Sequence, residues 1–558
     1  MQTEQEYNFS SFIHNSVKNF GSNKALGFID EEYITYTELG KNIKAVQAFL
    51  NQLGLKSGDK VIIYSQNMPN WGIVYFALQC SGIVAVPVLP EFSTAELDNV
   101  IKHSESKALF VSENLRYKLN EADTQSLSAV IKLENFEVLS AQKSNVHFKK
   151  DADCTINYIP DENEMAVLLY TSGTTGNSKG VMLSQKNIIS NVIQSGAVQE
   201  IKEDFRFLSV LPLSHTYENT IGFLLAIYNG ASVTYLRKPP TASILLPALK
   251  SLRPDIMLTV PLIIEKIYKN SILPGINKKA ATRLMHRFGP TRKLIHRLAG
   301  KKLMETFGGR LKFFGIGGAK LDATVERFLR NAKFPYAIGY GLTETAPLLA
   351  GSNPTQTRLQ AIGPKVINCK VKINKPNPLT GEGEIWAKGP NVMLGYYKNE
   401  EETRKVLTKD GWFKTGDLGV FDKDGWLSHK GRLKNLIVGA NGENIYPEEI
   451  ESIINNFRHV VESLVVQKKG KLVAMVHFNR EELEQRISEM RAGVSTKIDE
   501  KVEVISQRVD ETIDELRIEL QHYINERVNK FSRVQLVIAQ PSPFQKTATH
   551  KIKRYLYY

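Results

Sequence analysis

The chain has 558 residues, of which 42% are hydrophobic, 23% charged and 9% aromatic, and it carries a net charge of +14. This composition excludes a disordered chain, and the length exceeds one hydrophobic core, since single cores stop growing at roughly 250–300 residues. Cys80, Cys154 and Cys369 lie far apart with no CxxC pair, which argues against a zinc ribbon or a disulfide framework and for a reducing compartment.

The first residues, Met1-Gln-Thr-Glu-Gln-Glu-Tyr7, lack the basic and apolar regions of a signal peptide. No apolar run reaches the roughly 18–20 residues of a membrane span. The expected location is cytoplasmic, with at most peripheral contact at the inner face of the membrane. Helical periodicity runs from Tyr36 to Leu53, and Lys60-Val-Ile-Ile-Tyr64 reads as a buried strand. Trp71 to Ser81 is helix-like, Gly82 to Pro87 strand-like, Glu96 to His103 helix-like and Ala108 to Val111 strand-like. Alternation of this kind predicts βαβ units and a parallel sheet. It recurs over Phe207–Tyr235 and Ile256–Lys269, whereas Val371–Trp426 has shorter strands and Gly-rich turns and predicts a small β-rich subdomain.

Between Asn277 and Lys312, eleven basic residues are opposed only by Glu305, with Leu284, Met285, Phe288, Leu294, Ile295, Leu298 and Leu303 interleaved. This reads as a basic amphipathic helical segment, either a solvated face or a contact with anionic lipid. No nucleic-acid motif accompanies the charge. A boundary is expected near Gly431-Arg-Leu-Lys434, dividing an N-terminal domain, 1–431, from a smaller C-terminal domain, 432–558. In the latter, a helix is expected over Glu448–Asn455 and strands over Val460–Gln467 and Lys471–Phe478. A charged helical insertion around 480–530 has Ile487, Met490, Val494, Ile498, Val502, Ile505, Val509, Ile513 and Leu516 in near-heptad rhythm, reading as a helical hairpin on its own domain or a partner-binding coiled coil. The expected fold class is α/β: a large N-terminal domain of two βαβ-type subdomains plus a β-rich subdomain, and a mobile α+β C-terminal domain.

The chemistry begins at Tyr170-Thr-Ser-Gly-Thr-Thr-Gly-Asn-Ser-Lys-Gly180, which follows a strand-like run from Ala166. Glycines allow close backbone approach to a phosphate, and hydroxyls and Lys179 add donors and charge. The P-loop pattern GxxxxGK(S/T) fails because Gly180 follows Lys179, and Gly315-Ile-Gly317-Gly-Ala-Lys320 lacks the third glycine of a dinucleotide fingerprint. By itself the stretch says only that a phosphate is held.

The stretch resembles the signature of the adenylate-forming (ANL) superfamily, which includes acyl-CoA synthetases, luciferases and peptide-synthetase adenylation domains. Eight further motifs follow in that superfamily's order. They are Leu211-Pro-Leu-Ser-His-Thr-Tyr-Glu218, Phe314-Gly-Ile-Gly-Gly-Ala-Lys320, Gly339-Tyr-Gly-Leu-Thr-Glu-Thr-Ala346, Gly383-Glu-Ile-Trp386, Gly389 to Tyr397, Gly411-Trp-Phe-Lys-Thr-Gly-Asp417, Gly431-Arg-Leu-Lys434 and Pro543 to Lys551. The resemblance implies two half-reactions: a carboxylate attacks the α-phosphate of ATP to give acyl-AMP and pyrophosphate, and a thiol then displaces AMP. It implies Thr171, Ser172, Gly173, Thr174, Thr175, Gly176 and Lys179 at the phosphates, and Mg2+ on Glu344 with the Thr174 hydroxyl. It implies Tyr340 stacked on adenine with Gly317, Gly318 and Ala319 opposite, and Gly341 and Thr343 in the same nucleotide site. Asp417 is expected on the ribose hydroxyls, Arg432 on ribose or phosphate, Lys434 at an interdomain hinge, and Lys551 as the adenylation lysine. His215 is expected near the thiol-acceptor channel or as a structural histidine.

Three departures stand out. Ser178 replaces a frequent proline, His550 replaces the usual glycine before the last lysine, and Val438 replaces a basic residue of some members. His215-Thr-Tyr-Glu218, Pro254 to Ile267 and Lys551-Ile-Lys-Arg-Tyr-Leu556 resemble the long-chain fatty acyl-CoA synthetase subgroup. That subgroup implies a fatty acid substrate and coenzyme A as acceptor, with Phe223–Ile227 and Leu258–Ile264 either lining an acyl tunnel or filling a core. The alternatives are an acyl carrier protein as acceptor, another carboxylic acid as substrate, or a non-catalytic scaffold, against which Glu344, Asp417, Arg432 and Lys551 all speak.

Overall fold

The computed structural model describes residues 7–120, 124–154, 160–171, 179–439, 443–492, 501–547 and 551–558. The alternating half of the chain builds two eight-stranded sheets. One runs, in spatial order, Leu348–Gly351, Tyr336–Gly341, Phe313–Ile316, Ile256–Thr259, Arg206–Leu208, Ser232–Tyr235, Lys24–Phe28, Ile34–Thr35. Its interior pairs are parallel and both edge pairs antiparallel. The other runs Gly395–Tyr396, Lys179–Ser184, Met165–Thr171, Val84–Val88, Lys60–Tyr64, Ala108–Val111, Ala129–Lys132, Val138–Ala141. Near-continuous apolar strands such as Val84–Val88, buried along its whole length, are what a parallel sheet covered on both faces requires.

Helix starts follow local chemistry. Thr35 and Ser93 each accept a backbone N–H from the third helical residue while Glu38 and Glu96 reach back to the cap, so Tyr36–Leu53 and Thr94–Ser104 begin where orphan donors are satisfied. The helix Pro69–Cys80 is buried on nearly every side. With Phe9–Phe20 and Gln185–Val198 it contributes to one hydrophobic cluster shared by the two sheets. Phe223–Ile227 belong to that cluster, with Phe223 packed edge-on against Trp71 and Tyr75, so these residues are core.

The β-rich stretch forms a four-stranded antiparallel sheet in the order Lys370–Asn374, Gly383–Lys388, Phe413–Phe421, Leu427–Arg432. Beyond it, the strands Val460–Lys468, Lys471–Phe478 and Leu536–Ala539 form a sheet with its own hydrophobic cluster. The helices Arg480–Ala492 and Lys501–Asn525 pack there through Leu483, Ile487, Val509, Ile513, Leu516, Leu520 and Ile524. Ile487, Val509, Ile513 and Leu516 of the heptad rhythm thus form a seam with these strands, while Val494 and Ile498, and the side chains of Met490 and Val502, lie outside the described residues. In the basic segment, helices Ala280–Met285 and Gly289–Thr306 turn Ile295 and Leu303 inward and leave Leu284, Met285, Phe288, Leu294 and Leu298 exposed. Among the described residues, no helix is long and apolar enough to cross a membrane.

Candidate active site

The strands Met165–Thr171 and Lys179–Ser184 are antiparallel neighbours with Thr171 opposite Lys179. That register brings the two ends of the candidate phosphate loop together. Ser172, Gly173, Thr174, Thr175 and Gly176 lie outside the described residues, as does Ser178. The Lys179 ammonium pairs with Glu402 and lies 4.9 Å from the centre of the Tyr396 ring. The Tyr396 hydroxyl donates to Glu344 Oε1 at 2.9 Å, which orients that carboxylate. Neither Tyr396 nor Glu402 stood out as a site residue in the sequence. The motif ending Gly395-Tyr-Tyr397 carried a signal for the first, and nothing local marked the second.

A second wall rises where two adjacent parallel strands end. Phe313–Ile316 leads into Gly317, Gly318 and Ala319, and Tyr336–Gly341 leads into the single turn Thr343–Thr345 that carries Thr343 and Glu344. Ligand crevices in open α/β sheets form at such strand ends. Gly341 is obligatory: a Cβ there would stand 1.9 Å from the Pro347 carbonyl oxygen. Gly318 has φ +85°, the left-handed region that glycine enters at no steric cost. The Tyr217 ring lies so close to Gly317 that an added Cβ would be 3.1 Å from it. His215, half-buried, stands two residues earlier, its N–H donating to Pro212 O at 2.9 Å and its carbonyl accepting from Asn219 N–H at 2.8 Å.

The third wall comes from the four-stranded sheet. Asp417 and Arg432 are cross-strand partners, and Arg432 Nε lies 2.8 Å from Asp417 Oδ1. Tyr340 donates its hydroxyl to Asp417 Oδ2 at 2.9 Å, and its ring lies 5.6 Å from that of His429. Burial pushes the Asp417 carboxyl up, but hydrogen bonding from His429 and Tyr340 and the Arg432 charge outweigh it, so its pKa is lowered. Asp417 Oδ1 is buried and is met by the Arg432 ion pair without a well-directed hydrogen bond.

Two lysines complete the site. Lys434 sits in the single turn Leu433–Asn435 just past Arg432. Burial of its ammonium lowers its pKa, and the charges of Arg432, Lys179 and Lys551 act in the same direction, with Asp417 opposing. Lys551 is an exposed residue in the terminal segment that follows the last strand of the chain. Desolvation of its ammonium, and then the Arg432 charge, lower its pKa, while Asp417 and Glu344 oppose the shift.

Lys179, Arg432, Lys434 and Lys551 therefore converge with Glu344 and Asp417 from segments hundreds of residues apart. Four cations against three carboxylates, Glu402 on Lys179 included, leave an excess of positive charge that suits a polyanion. Among the described residues, no cluster of three metal-ligating side chains exists. A lone carboxylate such as Glu344 fits Mg2+, which typically takes one or two protein carboxylates and fills the rest of its shell with phosphate oxygens and water.

A family model described as "AMP-binding enzyme" matches residues 13–397. Among relatives, the long-chain-fatty-acid–CoA ligase FadD15 of Mycobacterium tuberculosis is 29% identical, covering 78% of this chain and 75% of its own length. Long-chain-fatty-acid–CoA ligase 1 of Saccharomyces cerevisiae is 28% identical over 80% of this chain and 72% of its own. The peroxisomal long chain acyl-CoA synthetase 7 of Arabidopsis thaliana is 28% identical over 82% and 70%. Among solved structures, ATP-bound MatB from Rhodopseudomonas palustris superposes with a TM-score of 0.75 at 23% identity, covering 99% of this chain and 98% of its own. The o-succinylbenzoate coenzyme A synthetase MenE of Bacillus subtilis, solved with ATP and magnesium, gives 0.74 at 22% identity, with 98% of each chain covered. These two likenesses establish the fold.

Proposed function

The chain belongs to the AMP-binding enzyme family, and we propose that it is an AMP-forming fatty acid–coenzyme A ligase acting on long-chain acids. The convergence of Lys179, Arg432, Lys434 and Lys551 on Glu344 and Asp417 carries this reading, and relatives named as long-chain fatty acid–CoA ligases supply the substrate class.

In the first half-reaction a carboxylate oxygen of the fatty acid attacks the α-phosphorus of ATP, and the bond to pyrophosphate breaks. Both partners are anions, so the protein's task is positioning and charge neutralisation. Lys551 and Lys179 offset charge on the transferring and leaving phosphates. Asp417 offers its carboxylate to the ribose hydroxyls, while Arg432, paired with it, faces the phosphates. Tyr340, held by Asp417, offers its ring to the adenine across Gly317, Gly318 and Ala319, with Gly341 and Thr343 closing that edge. Glu344, aimed by Tyr396, and the Thr174 hydroxyl would hold magnesium, which when bound supplies further neutralisation of phosphate oxygen charge. In the second half-reaction the thiol sulfur of coenzyme A attacks the acyl carbon and the bond to AMP breaks, with His215 on the acceptor side.

We assign residues 1–431 to the adenylation domain and 432–558 to the lid, joined at the Lys434 hinge. The exposed apolar residues and surrounding cations of the basic segment support contact with an anionic membrane surface, from which a fatty acid would be drawn. The decisive assay follows pyrophosphate release with acetate, octanoate, palmitate and an aromatic acid, with coenzyme A or acyl carrier protein as acceptor. Palmitate with coenzyme A is expected to be preferred. In Lys551→Ala, acyl-AMP formation is expected to vanish while thioester formation from supplied acyl-AMP largely survives; normal pyrophosphate exchange in that variant would refute the assignment of Lys551.

A further inference from the structure

The helix Pro447–Asn455 carries three attachments that the reaction chemistry does not use. In its first turn, Glu449 Oε1 accepts from Lys320 Nζ at 2.7 Å. At its other end, Lys269 Nζ donates to the Asn455 carbonyl at 3.4 Å and to the Val460 carbonyl at 2.9 Å. A lysine at a helix C-terminus satisfies orphan carbonyls and meets the negative end of the helix dipole. Between these two points, Glu451 pairs with Arg554 and accepts the Val465 N–H at 2.7 Å. Arg554 lies three residues beyond Lys551.

The geometry has a direct mechanical consequence. Glu449 and Asn455 are six residues apart, about 9 Å along a helix. Lysines of the large domain therefore grip one rod at both ends, which fixes its direction as well as its position. Lys320 closes the Gly317–Lys320 turn, so one grip sits on the same loop as the proposed adenine wall. Lys269 is half-buried, and burial lowers its pKa to about 8, with Glu482 and Glu265 opposing. A desolvated ammonium on two carbonyls is a directional contact, unlike an exposed ion pair.

We propose that the helix Pro447–Asn455 is a strut that places Lys551: Lys269 and Lys320 fix it to the large domain, and Glu451, through Arg554, fixes the terminal segment to the strut. Lys269, Lys320, Glu449, Glu451 and Arg554 are then positioning residues for adenylation. This rests on the reading that Lys551 serves the acyl-AMP step. A misplacement of about 1 Å at such a group costs up to about a hundredfold in rate, so loosening either grip harms that step first.

The test uses the full-length chain with Lys269→Met, Lys320→Glu, and Lys320→Glu combined with Glu449→Lys. Pyrophosphate exchange and thioester formation from supplied acyl-AMP are measured separately, with Lys551→Ala as reference. The two single variants are expected to lose about tenfold or more in exchange and to keep thioester formation within about twofold, and the reversed pair is expected to regain exchange. Equal loss in both half-reactions, or no rescue by charge reversal, would overturn the strut. Amide hydrogen exchange of residues 551–558 gives a readout without turnover: it is expected to quicken in Lys269→Met and Lys320→Glu, and unchanged protection would likewise overturn the proposal. If the parent enzyme forms no acyl-AMP from any acid, the functional reading fails while hydrogen exchange still decides whether the strut holds the terminal segment.

Discussion

Lys551 shows how a single side chain acquires its chemistry from distant neighbours. Its lowered pKa comes first from desolvation and then from the Arg432 charge. The cation that the proposed adenylation role requires is present below that pKa and lost as pH rises through it. The alkaline limb of kcat/KM for the first half-reaction is therefore expected below the ordinary lysine range of about 10.4. Lys551→Arg, which stays charged, is expected to flatten that limb at a reduced rate; an unchanged limb would show that another group titrates. Glu218 is a second case. It is fully buried, its Oε2 has no hydrogen-bond partner, and burial pushes its carboxyl up to about 8, with Ser209 opposing. With its folded pKa above the unfolded value, its contribution to stability is complete below pH ~4.5 and falls as pH rises to about 8. Glu218→Gln is expected to gain stability over the parent across that window, on the order of a few kcal/mol, and to level off above it. Denaturation at pH 5, 7 and 9 measures this, and parallel curves for both proteins would contradict it.

At the scale of elements, the site depends on how segments end. The hairpin Met165–Thr171/Lys179–Ser184 brings together the two ends of the candidate phosphate loop, and the parallel neighbours Phe313–Ile316 and Tyr336–Gly341 supply the other candidate nucleotide motifs. The motif Leu211–Glu218 runs into the π-helical segment Tyr217–Leu224, a form rare in proteins and frequent at functional sites. Gly222 makes room there for the Glu218 carboxyl, since a Cβ would lie 2.7 Å from Glu218 Cδ. In the sequence, Phe207–Tyr235 shows only helix–strand alternation, which does not mark the wider turn, because both helical forms place apolar residues at similar spacing. Lys434 stands in the single turn Leu433–Asn435, between the last strand of the four-stranded sheet and the short pair Ile437–Val438/Asn444–Ile445. Lys434→Pro, which locks φ there, is expected to slow thioester formation about tenfold or more and acyl-AMP formation less; single-turnover measurements of each step would show equal losses if Lys434 were not the hinge.

At the scale of the whole molecule, the charge of +14 is distributed unevenly. Exposed Leu284, Met285, Phe288, Leu294 and Leu298 share one region with exposed Lys278, Lys279, Arg283, Arg287, Lys293, Arg297, Lys301 and Lys302. Apolar insertion together with about 1 kcal/mol per cation near an anionic bilayer would drive the proposed contact with a lipid surface. Sedimentation with phosphatidylserine-containing vesicles is expected to capture the protein at low salt and release it at high salt. Phe288→Ser with Leu298→Ser is expected to weaken capture about tenfold or more without changing turnover of octanoate. Equal capture by neutral vesicles, or by the double variant, would rule the surface out.

The sequence by itself determined the alternating α/β plan, the order of the nucleotide motifs and most of the residues that meet in the site, because strand and helix periods and glycine-rich turns are local properties. It also contained the helical rhythm of 480–530, but that rhythm is shared by a partner-binding coiled coil and an intradomain seam. Only the tertiary structure chose between them, by burying Val509, Ile513 and Leu516 against the strands of the small domain. Likewise Phe223–Ile227 could line a tunnel or fill a core, and packing against Trp71 and Tyr75 decided for the core. The pairing of Tyr396 with Glu344, of Glu402 with Lys179, and of Lys269 with the end of Pro447–Asn455 was likewise decided by tertiary structure. Each joins residues from 52 to 223 positions apart, and no local pattern encodes which distant partner a charge will meet.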